Sequence, residues 1–124
     1  MKRRRDTVAI VEDEPSMRRS IERLLHAAGF PVETFASAEA FLARAGEGAV
    51  GCAVVDIHLG GASGLELRRH LAAAALPVPV IFITADDDET LEAAARDLGC
   101  VDYLRKPFPS EALIAAVTTA LSPR

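Results

Sequence analysis

The sequence predicts a doubly wound α/β sandwich, in which a parallel five-stranded sheet lies between two layers of helices. Five short runs of β-branched and aliphatic residues alternate along the chain with five segments of helical periodicity. The first, third and fourth runs are almost continuously apolar, as strands buried on both faces of a parallel sheet must be. Right-handed crossovers place helices on both faces, and a ligand crevice is expected at the carboxyl ends of the strands.

The predicted strands are all short, and the most apolar of them are expected at the centre of the sheet. They are residues 7–12, 32–35, 52–56, 80–84 and 101–104.

Capping residues indicate where the predicted helices begin and end. Pro15 lies in the first turn of the first helix, where proline is tolerated, and Gly29 lies where a left-handed cap would end it. Acidic residues 86–89 suit the amino end of a fourth helix, predicted from Asp87 to Leu98, and Pro109 and Ser110 begin the last helix. Apolar residues at helical spacing are expected to face the core: Met17, Ile21, Leu24 and Ala28; Leu91, Ala94, Ala95 and Leu98; and Leu113, Ile114, Val117 and Leu121.

Length and composition indicate one globular domain over residues 1–124, with a core from about residue 7 to residue 121. Half of the residues are hydrophobic and 26% are charged, which is typical of a globular domain. The apolar runs are too short to cross a membrane, and no secretory signal follows the basic residues 2–5, which we interpret as a solvated terminus. The net charge of −4 argues against a nucleic-acid surface on this domain. We therefore expect a cytoplasmic protein. Cys52 and Cys100 lie in apolar stretches and are expected to pack as small apolar side chains.

Five polar residues lie at or after the ends of predicted strands and are expected at one edge of the sheet. Glu12 and Asp13 are at the end of the first strand and Asp56 ends the third, so that three carboxylates share one crevice. Such a cluster is costly unless a cation neutralises it, and ligands that are all oxygen suit Mg²⁺. Thr84 and Lys106 add a hydroxyl and an ammonium. Each residue taken alone is also explained as a loop acid, a turn residue or a surface lysine; together they favour phosphoryl transfer to a carboxylate.

Four segments resemble those of response-regulator receiver domains: residues 8–15, 54–56, 83–85 and 101–108. The resemblance extends over nearly the whole chain and is strongest for the FixJ-type branch, whose receivers are usually joined to a C-terminal helix-turn-helix output domain. It implies a flavodoxin-like (βα)5 three-layer sandwich with strand order 2-1-3-4-5. It also implies a phosphoacceptor signalling switch of a two-component system.

The resemblance assigns roles to individual residues. Asp56 is the phosphoacceptor, Lys106 and Thr84 bind the phosphoryl group, and Tyr103 is a rotating aromatic switch. The bond between Lys106 and Pro107 resembles the cis peptide of the family. Mg²⁺ is expected to be held by Glu12, Asp13, Asp56 and the backbone carbonyl of His58.

The implied function is transfer of a phosphoryl group to Asp56 from the phosphohistidine of a histidine kinase or a phosphotransfer protein, followed by slow autodephosphorylation. The domain would catalyse its own modification without being a conventional enzyme. Phosphorylation would change the surface of the fourth helix, the fifth strand and the last helix, through which many receivers dimerise. We therefore expect a phosphorylation-dependent homodimer, and neither nucleic acid nor membrane as a partner of this domain itself.

Two positions after Asp56 depart from the family pattern or leave alternatives open. Gly60 replaces the proline that is usual in this loop, and because glycine frees φ where proline restricts it, we expect a more mobile loop and altered kinetics. His58 either contacts the phosphoryl group or the attacking water, or points to solvent.

Three other functions are alternatives to the phosphoacceptor. A pseudo-receiver would be an interaction module that acts without phosphorylation, but all five site residues named above are present. A flavodoxin-type cofactor binder needs a hydroxyl- and glycine-rich phosphate loop after the first strand, where this chain has residues 12–14, all acidic. An aspartyl phosphatase usually has a second acid two residues after the nucleophile, and His58 occupies that place.

Overall fold

The computed structural model describes residues 6–46 and 50–122, in which strands and helices alternate. The strands are β1 (Val8–Val11), β2 (Val32–Phe35), β3 (Cys52–Asp56), β4 (Val80–Thr84) and β5 (Asp102–Arg105). The helices are α1 (Pro15–Ala27), α2 (Ala38–Ala45), α3 (Gly64–Ala73), α4 (Glu89–Leu98) and α5 (Ser110–Leu121).

The strands form one parallel sheet in the order β2-β1-β3-β4-β5, which confirms the predicted fold and strand order. Every residue of β1, β3 and β4 is buried. The edge strands β2 and β5 are only partly buried, because each has a single neighbour. The continuous apolar runs of the three inner strands are thus explained by burial on both faces.

Two apolar cores pack against opposite faces of the sheet, because successive residues of a strand point in opposite directions. Val11 packs with α2, α3 and α4, whereas Ile10 packs with α1 and α5. Cys52 is buried in the second core, and burial raises the pKa of its thiol to about 12. Cys100 is half-buried beside the first core. Both cysteines therefore pack as the small apolar side chains that the sequence predicts.

The ends of α1 follow the predicted capping. Pro15 occupies the first turn, and the side chain of Glu14 accepts hydrogen bonds from two amides of that turn. Gly29 follows the helix with a φ of +96°, a backbone conformation that favours glycine. Its amide and that of Phe30 donate to carbonyls of the last turn, which is the Schellman arrangement.

The predicted apolar side of α1 is only partly correct. Ile21 and Leu25 are buried, and Met17 and Leu24 pack partly against the same core. Ala28 is exposed because it is the cap residue, at which the chain leaves the helix. In α5, a similar correction applies: Ala116 is buried, whereas Ile114, predicted to face the core, is only partly buried. The predicted apolar side of α4 is confirmed, since its members pack on the first core.

Three elements have ends that differ from the prediction. β1 is shorter by one residue at each end, and β5 lies one residue later along the chain. α4 begins at Glu89 and not at Asp87, because the side chain of Asp86 accepts a hydrogen bond from the Asp88 amide and holds a turn before the helix. No helix among residues 6–46 and 50–122 is long and apolar enough to cross a membrane. The basic residues 2–5 lie outside the described residues.

Candidate phosphoryl-transfer site

The register of the sheet brings Glu12, Asp56 and Lys106 together. Val11 pairs with Val55 across β1 and β3, so the residues that follow them, Glu12 and Asp56, emerge side by side. Lys106 follows β5, and its Nζ donates to Asp56 Oδ2 at 2.8 Å and to Glu12 Oε1 at 3.0 Å. One ammonium thus bridges two carboxylates at the carboxyl edge of the sheet.

This cluster is largely shielded from water. The side chains of Glu12 and Asp56 are 1% and 8% exposed, and that of Lys106 is 15% exposed. Burial, and next the adjacent Asp56, raise the pKa of Glu12 to about 7, although Lys106 acts in the opposite direction. Burial lowers the pKa of Lys106, but the hydrogen bonds to Asp56 and Glu12 outweigh it, so this pKa lies above its ordinary value. Lys106 therefore stays charged at neutral pH and only partly offsets the two buried acids.

Asp13 does not join the ion pairs described for Lys106. Its side chain is exposed, and its Oδ2 accepts a hydrogen bond from the Gly60 amide at 2.9 Å. Within the described ranges, no three His, Cys, Asp or Glu side chains form a ready-made cation cage. The structure therefore brings Glu12 and Asp56 together and leaves Asp13 at the rim of the crevice.

The His58 ring contacts the neighbouring loop. The His58 amide donates to Asp56 Oδ1 at 2.8 Å, whereas its ring Nε2 lies 3.0 Å from Asp86 Oδ2. The side chain of His58 is 57% exposed and that of Asp86 is 37% exposed. The sequence left open whether this ring contacts the phosphoryl group or the attacking water, or points to solvent. In the structure the ring is mostly exposed to solvent, and it also contacts the loop after β4 through Asp86.

Thr84 is fully buried, and its Oγ1 accepts a hydrogen bond from the Asp86 amide at 3.0 Å. Asp86 is the site neighbour that the sequence analysis missed, because it was grouped with the acids of the fourth helix. The available signal is Thr84 at the end of a strand, because a threonine hydroxyl can accept a hydrogen bond from the amide two residues later and form a turn there. Asp86 therefore connects Thr84 with His58.

Tyr103 lies under α4 in the first core. Its side chain is buried, and no hydrogen-bond partner for its hydroxyl is found in the described part of the chain. Burial is the main cause that raises the pKa of this hydroxyl. A buried hydroxyl without a partner is costly, which favours a second orientation in which it reaches water.

Gly64 packs directly against the backbone of Asp56 and Ile57. A Cβ at this position would lie 2.6 Å from the Asp56 carbonyl oxygen and 2.9 Å from Ile57 Cα. Only glycine therefore allows α3 to begin this close to the end of β3. On the other side of the site, the peptide bond between Lys106 and Pro107 is cis, as the resemblance implies.

Comparison with known proteins identifies the family to which the chain belongs. A model of the response regulator receiver domain matches residues 8–118. The chain belongs to this family. It is 36% identical to the transcriptional regulatory protein FixJ of Bradyrhizobium diazoefficiens, over 92% of this chain and 56% of that protein. It is 39% identical to nodulation protein W of the same organism, over 91% of this chain and 50% of that protein.

Solved structures agree with this assignment. The crystal structure of FixJ-N superposes on this receiver domain with a TM-score of 0.87 at 37% identity, and the match covers 93% of this chain and 92% of that one. The response regulator StyR gives a TM-score of 0.86 at 39% identity, over 93% of this chain and 58% of that one. The predicted family is thus confirmed. The receiver domain spans about half the length of the curated relatives named above.

Proposed function

We propose that this receiver domain accepts a phosphoryl group on Asp56 from the phosphohistidine of a histidine kinase or a phosphotransfer protein, in the cytoplasm. The observation that carries the proposal is the pairing of a buried carboxylate with an ammonium at the sheet edge, Asp56 Oδ2 with Lys106 Nζ at 2.8 Å. An oxygen of Asp56 attacks phosphorus, the phosphorus–nitrogen bond breaks, and the imidazole leaves with the bonding electrons. Lys106 pairs with the phosphoryl oxygens as negative charge moves onto them.

A divalent cation fits the charges of this site. The edge of the sheet has three carboxylates, two that contact Lys106 (Glu12 and Asp56) and one at the rim (Asp13), and one ammonium, which leaves two negative charges when all are ionised. Burial keeps the pKa of Glu12 raised to about 7 even with Lys106 in contact, so added positive charge would favour the ionised form of this carboxyl. Mg²⁺ prefers oxygen ligands of this kind, and when bound it neutralises the oxygens of the transferred group. The residues proposed to hold it are Glu12, Asp13, Asp56 and His58, the last through its carbonyl.

Loss of the phosphoryl group follows from the same site. Water attacks phosphorus, the bond to the Asp56 oxygen breaks, and inorganic phosphate leaves while the carboxylate is restored. The domain thereby catalyses its own phosphorylation and slow autodephosphorylation, but it turns over no separate substrate as a conventional enzyme does.

Intact-mass spectrometry tests the acceptor. With Mg²⁺ and acetyl phosphate, the wild type is expected to gain one phosphate, and Asp56→Asn is expected to gain none. Asp87→Asn, which alters an exposed acid outside the site, serves as the matched control and is expected to behave as wild type. An undiminished adduct on Asp56→Asn contradicts the proposed acceptor. A wild type that never gains phosphate supports the pseudo-receiver in its place.

We further propose that phosphorylation acts on the surface through Thr84 and Tyr103. The Thr84 oxygen accepts from the Asp86 amide, and its hydroxyl hydrogen can donate to a phosphoryl oxygen on Asp56. The new hydrogen bond draws Thr84 and the loop after β4 towards Asp56, and this movement vacates space for the Tyr103 ring. The affected surface comprises α4, β5 and α5. On it, Glu92 accepts hydrogen bonds from Arg96 and Arg105, polar groups that a second copy of the domain can use.

Sedimentation with and without beryllium fluoride tests this switch. The wild type is expected to self-associate when the phosphoryl mimic binds. Thr84→Ala is expected to take up the mimic but to associate less, because it has lost the donor that couples the two states. Thr84→Ser keeps the hydroxyl and is expected to restore association. If Thr84→Ala associates as strongly as wild type, the proposed route from Thr84 to Tyr103 is wrong.

A further inference from the structure

The loop between β3 and α3 is held by two carboxylates from other parts of the chain. The Gly60 amide donates to Asp13 Oδ2 at 2.9 Å, and the Ala62 amide donates to Glu39 Oε2 at 3.3 Å. Asp13 lies between β1 and α1, whereas Glu39 belongs to α2. The loop is therefore tied to two separate parts of the chain. The expectation of a more mobile loop considered only the backbone freedom of Gly60 and not these two hydrogen bonds.

The feature that matters at position 60 is the amide hydrogen. Gly60 is not among the glycines with positive φ, so its backbone conformation does not demand glycine. A Cβ added there would meet Asp13 Oδ2 at 3.5 Å, which is an ordinary contact. Proline, by contrast, has no amide hydrogen and cannot make this bond. Any residue except proline can therefore donate this bond, so the chain gains here a hydrogen bond that the usual proline of the family cannot make.

We propose that the Gly60 amide is a positioning group that holds the Asp13 carboxylate ready to bind Mg²⁺, an inference that rests on the proposed function. The hydrogen bond engages Oδ2 and leaves Oδ1 to the cation. A ligand whose orientation is already fixed loses less freedom when the metal binds.

The same bond extends the effect of the cation to the phosphoacceptor. The segment from Asp56 to Gly60 begins with the hydrogen bond from the His58 amide to Asp56 Oδ1 and ends with the bond from Gly60 to Asp13. A cation held by both Asp13 and Asp56 would therefore restrain both ends of this segment. We expect Mg²⁺ to order the loop as well as to balance the charge of the site.

Isothermal titration with MgCl₂ alone tests the inference on three variants. Removal of an outer hydrogen-bond partner of a metal ligand typically weakens affinity 10- to 100-fold; because Asp13 is exposed and water replaces part of the bond, we expect Gly60→Pro to raise the Kd about tenfold. Gly60→Ala keeps the amide hydrogen and is expected to stay within about twofold of wild type. Glu39→Ala loosens the loop without touching Asp13, and a change below about threefold is expected.

The outcomes separate this inference from the proposed function. If Gly60→Pro is folded and binds Mg²⁺ as tightly as wild type, the positioning role is wrong while the metal site stands. If Glu39→Ala weakens binding as much as Gly60→Pro, loop order and not the Gly60 amide controls the affinity, and the inference again fails. If the wild type binds no Mg²⁺, both proposals fail.

A measurement on the wild type answers the same question without a proline substitution. The through-hydrogen-bond NMR coupling between the Gly60 nitrogen and the Asp13 carboxyl carbon reports this bond directly. We expect the coupling before Mg²⁺ is added and its persistence at saturation. Loss of the coupling on saturation would mean that the amide competes with the cation, which overturns the inference whatever the affinity of Gly60→Pro.

Discussion

The helices α3 and α4 are neighbours on the same face of the sheet, yet they are anchored very differently. α3 buries three leucines along its length and begins with a capping box, in which Ser63 and Glu66 each accept a hydrogen bond from the other's amide. α4 buries a single residue, Ala95, and its two leucines are only partly buried. One helix is held by large apolar side chains and the other mainly by alanines.

This difference indicates which helix can move at low free-energy cost if Asp56 is phosphorylated, as proposed above. Segments with few buried apolar contacts open at lower free energy than well-packed ones. Asp56 ends the strand that leads to α3, whereas Thr84 ends the strand that leads to α4. A change at Asp56 therefore meets a firmly packed helix on one side and a lightly packed helix on the other. The lightly packed helix belongs to the surface proposed to change.

Truncation of one leucine in each helix is expected to give the largest contrast. Leu67 of α3 is fully buried, so Leu67→Ala should lower the free energy of unfolding by about 2–5 kcal/mol. Leu91 of α4 is only partly buried, and Leu91→Ala should cost about 1 kcal/mol because less apolar area is lost. Urea denaturation measures both. Equal losses for the two variants would mean that α4 is anchored as firmly as α3.

A methyl group at Gly64 is expected to disturb the start of α3 where it contacts Asp56, the proposed phosphoacceptor. Because the added Cβ would overlap backbone atoms of Asp56 and Ile57, Gly64→Ala should lower the free energy of unfolding by about 1–3 kcal/mol. Gly46, the cap of α2, is the control: its φ is −67° and a Cβ there meets nothing within 4 Å. Gly46→Ala should be neutral or stabilise by about 0.4–1 kcal/mol. Stability of Gly64→Ala equal to that of Gly46→Ala would refute the proposed close packing.

Acid is expected to weaken the amino-terminal caps of both helices. These effects should be smaller than those of the leucine truncations and of Gly64→Ala. Hydrogen bonds from Ser63 lower the pKa of Glu66, and hydrogen bonds from Thr90 lower the pKa of Asp88, the cap of α4. A depressed folded-state pKa means that the stabilisation is present above the unfolded-state value, about 4, and is lost as pH falls through the folded-state value. Glu66→Gln and Asp88→Asn remove these titrations.

The two cap substitutions should affect different measurements, because α3 and α4 are packed differently. For Glu66→Gln, the drop of the urea midpoint between pH 6 and pH 3 should be smaller than in wild type, since α3 unfolds with the whole domain. For Asp88→Asn, the change should be confined to amide exchange in the first turn of α4, which opens locally. A global midpoint shift for Asp88→Asn as large as that for Glu66→Gln would argue against the local opening of α4.

Much of this molecule follows from local pattern. The inner strands were predicted because their apolar runs are continuous, and the caps Pro15 and Gly29 because their backbone requirements are specific. The errors lie at element ends and in the rotation of a helix about its axis. Ala28 and Ile114 have the right spacing for a core-facing side, but their burial depends on where the helix stops and how it is rotated on the sheet. Neither property is contained in the period of a sequence.

The sequence by itself determined the elements, their order and the set of polar residues at the carboxyl edge, because these depend on local periodicity and on position along the chain. Only the tertiary structure decided which atoms meet. Lys106 reaches Glu12 across 94 positions and Asp56 across 50, and Gly60 reaches Asp13 across 47. Such pairs depend on strand register and on side-chain rotamers, and a shift of one residue in a strand would turn its side chains to the opposite face.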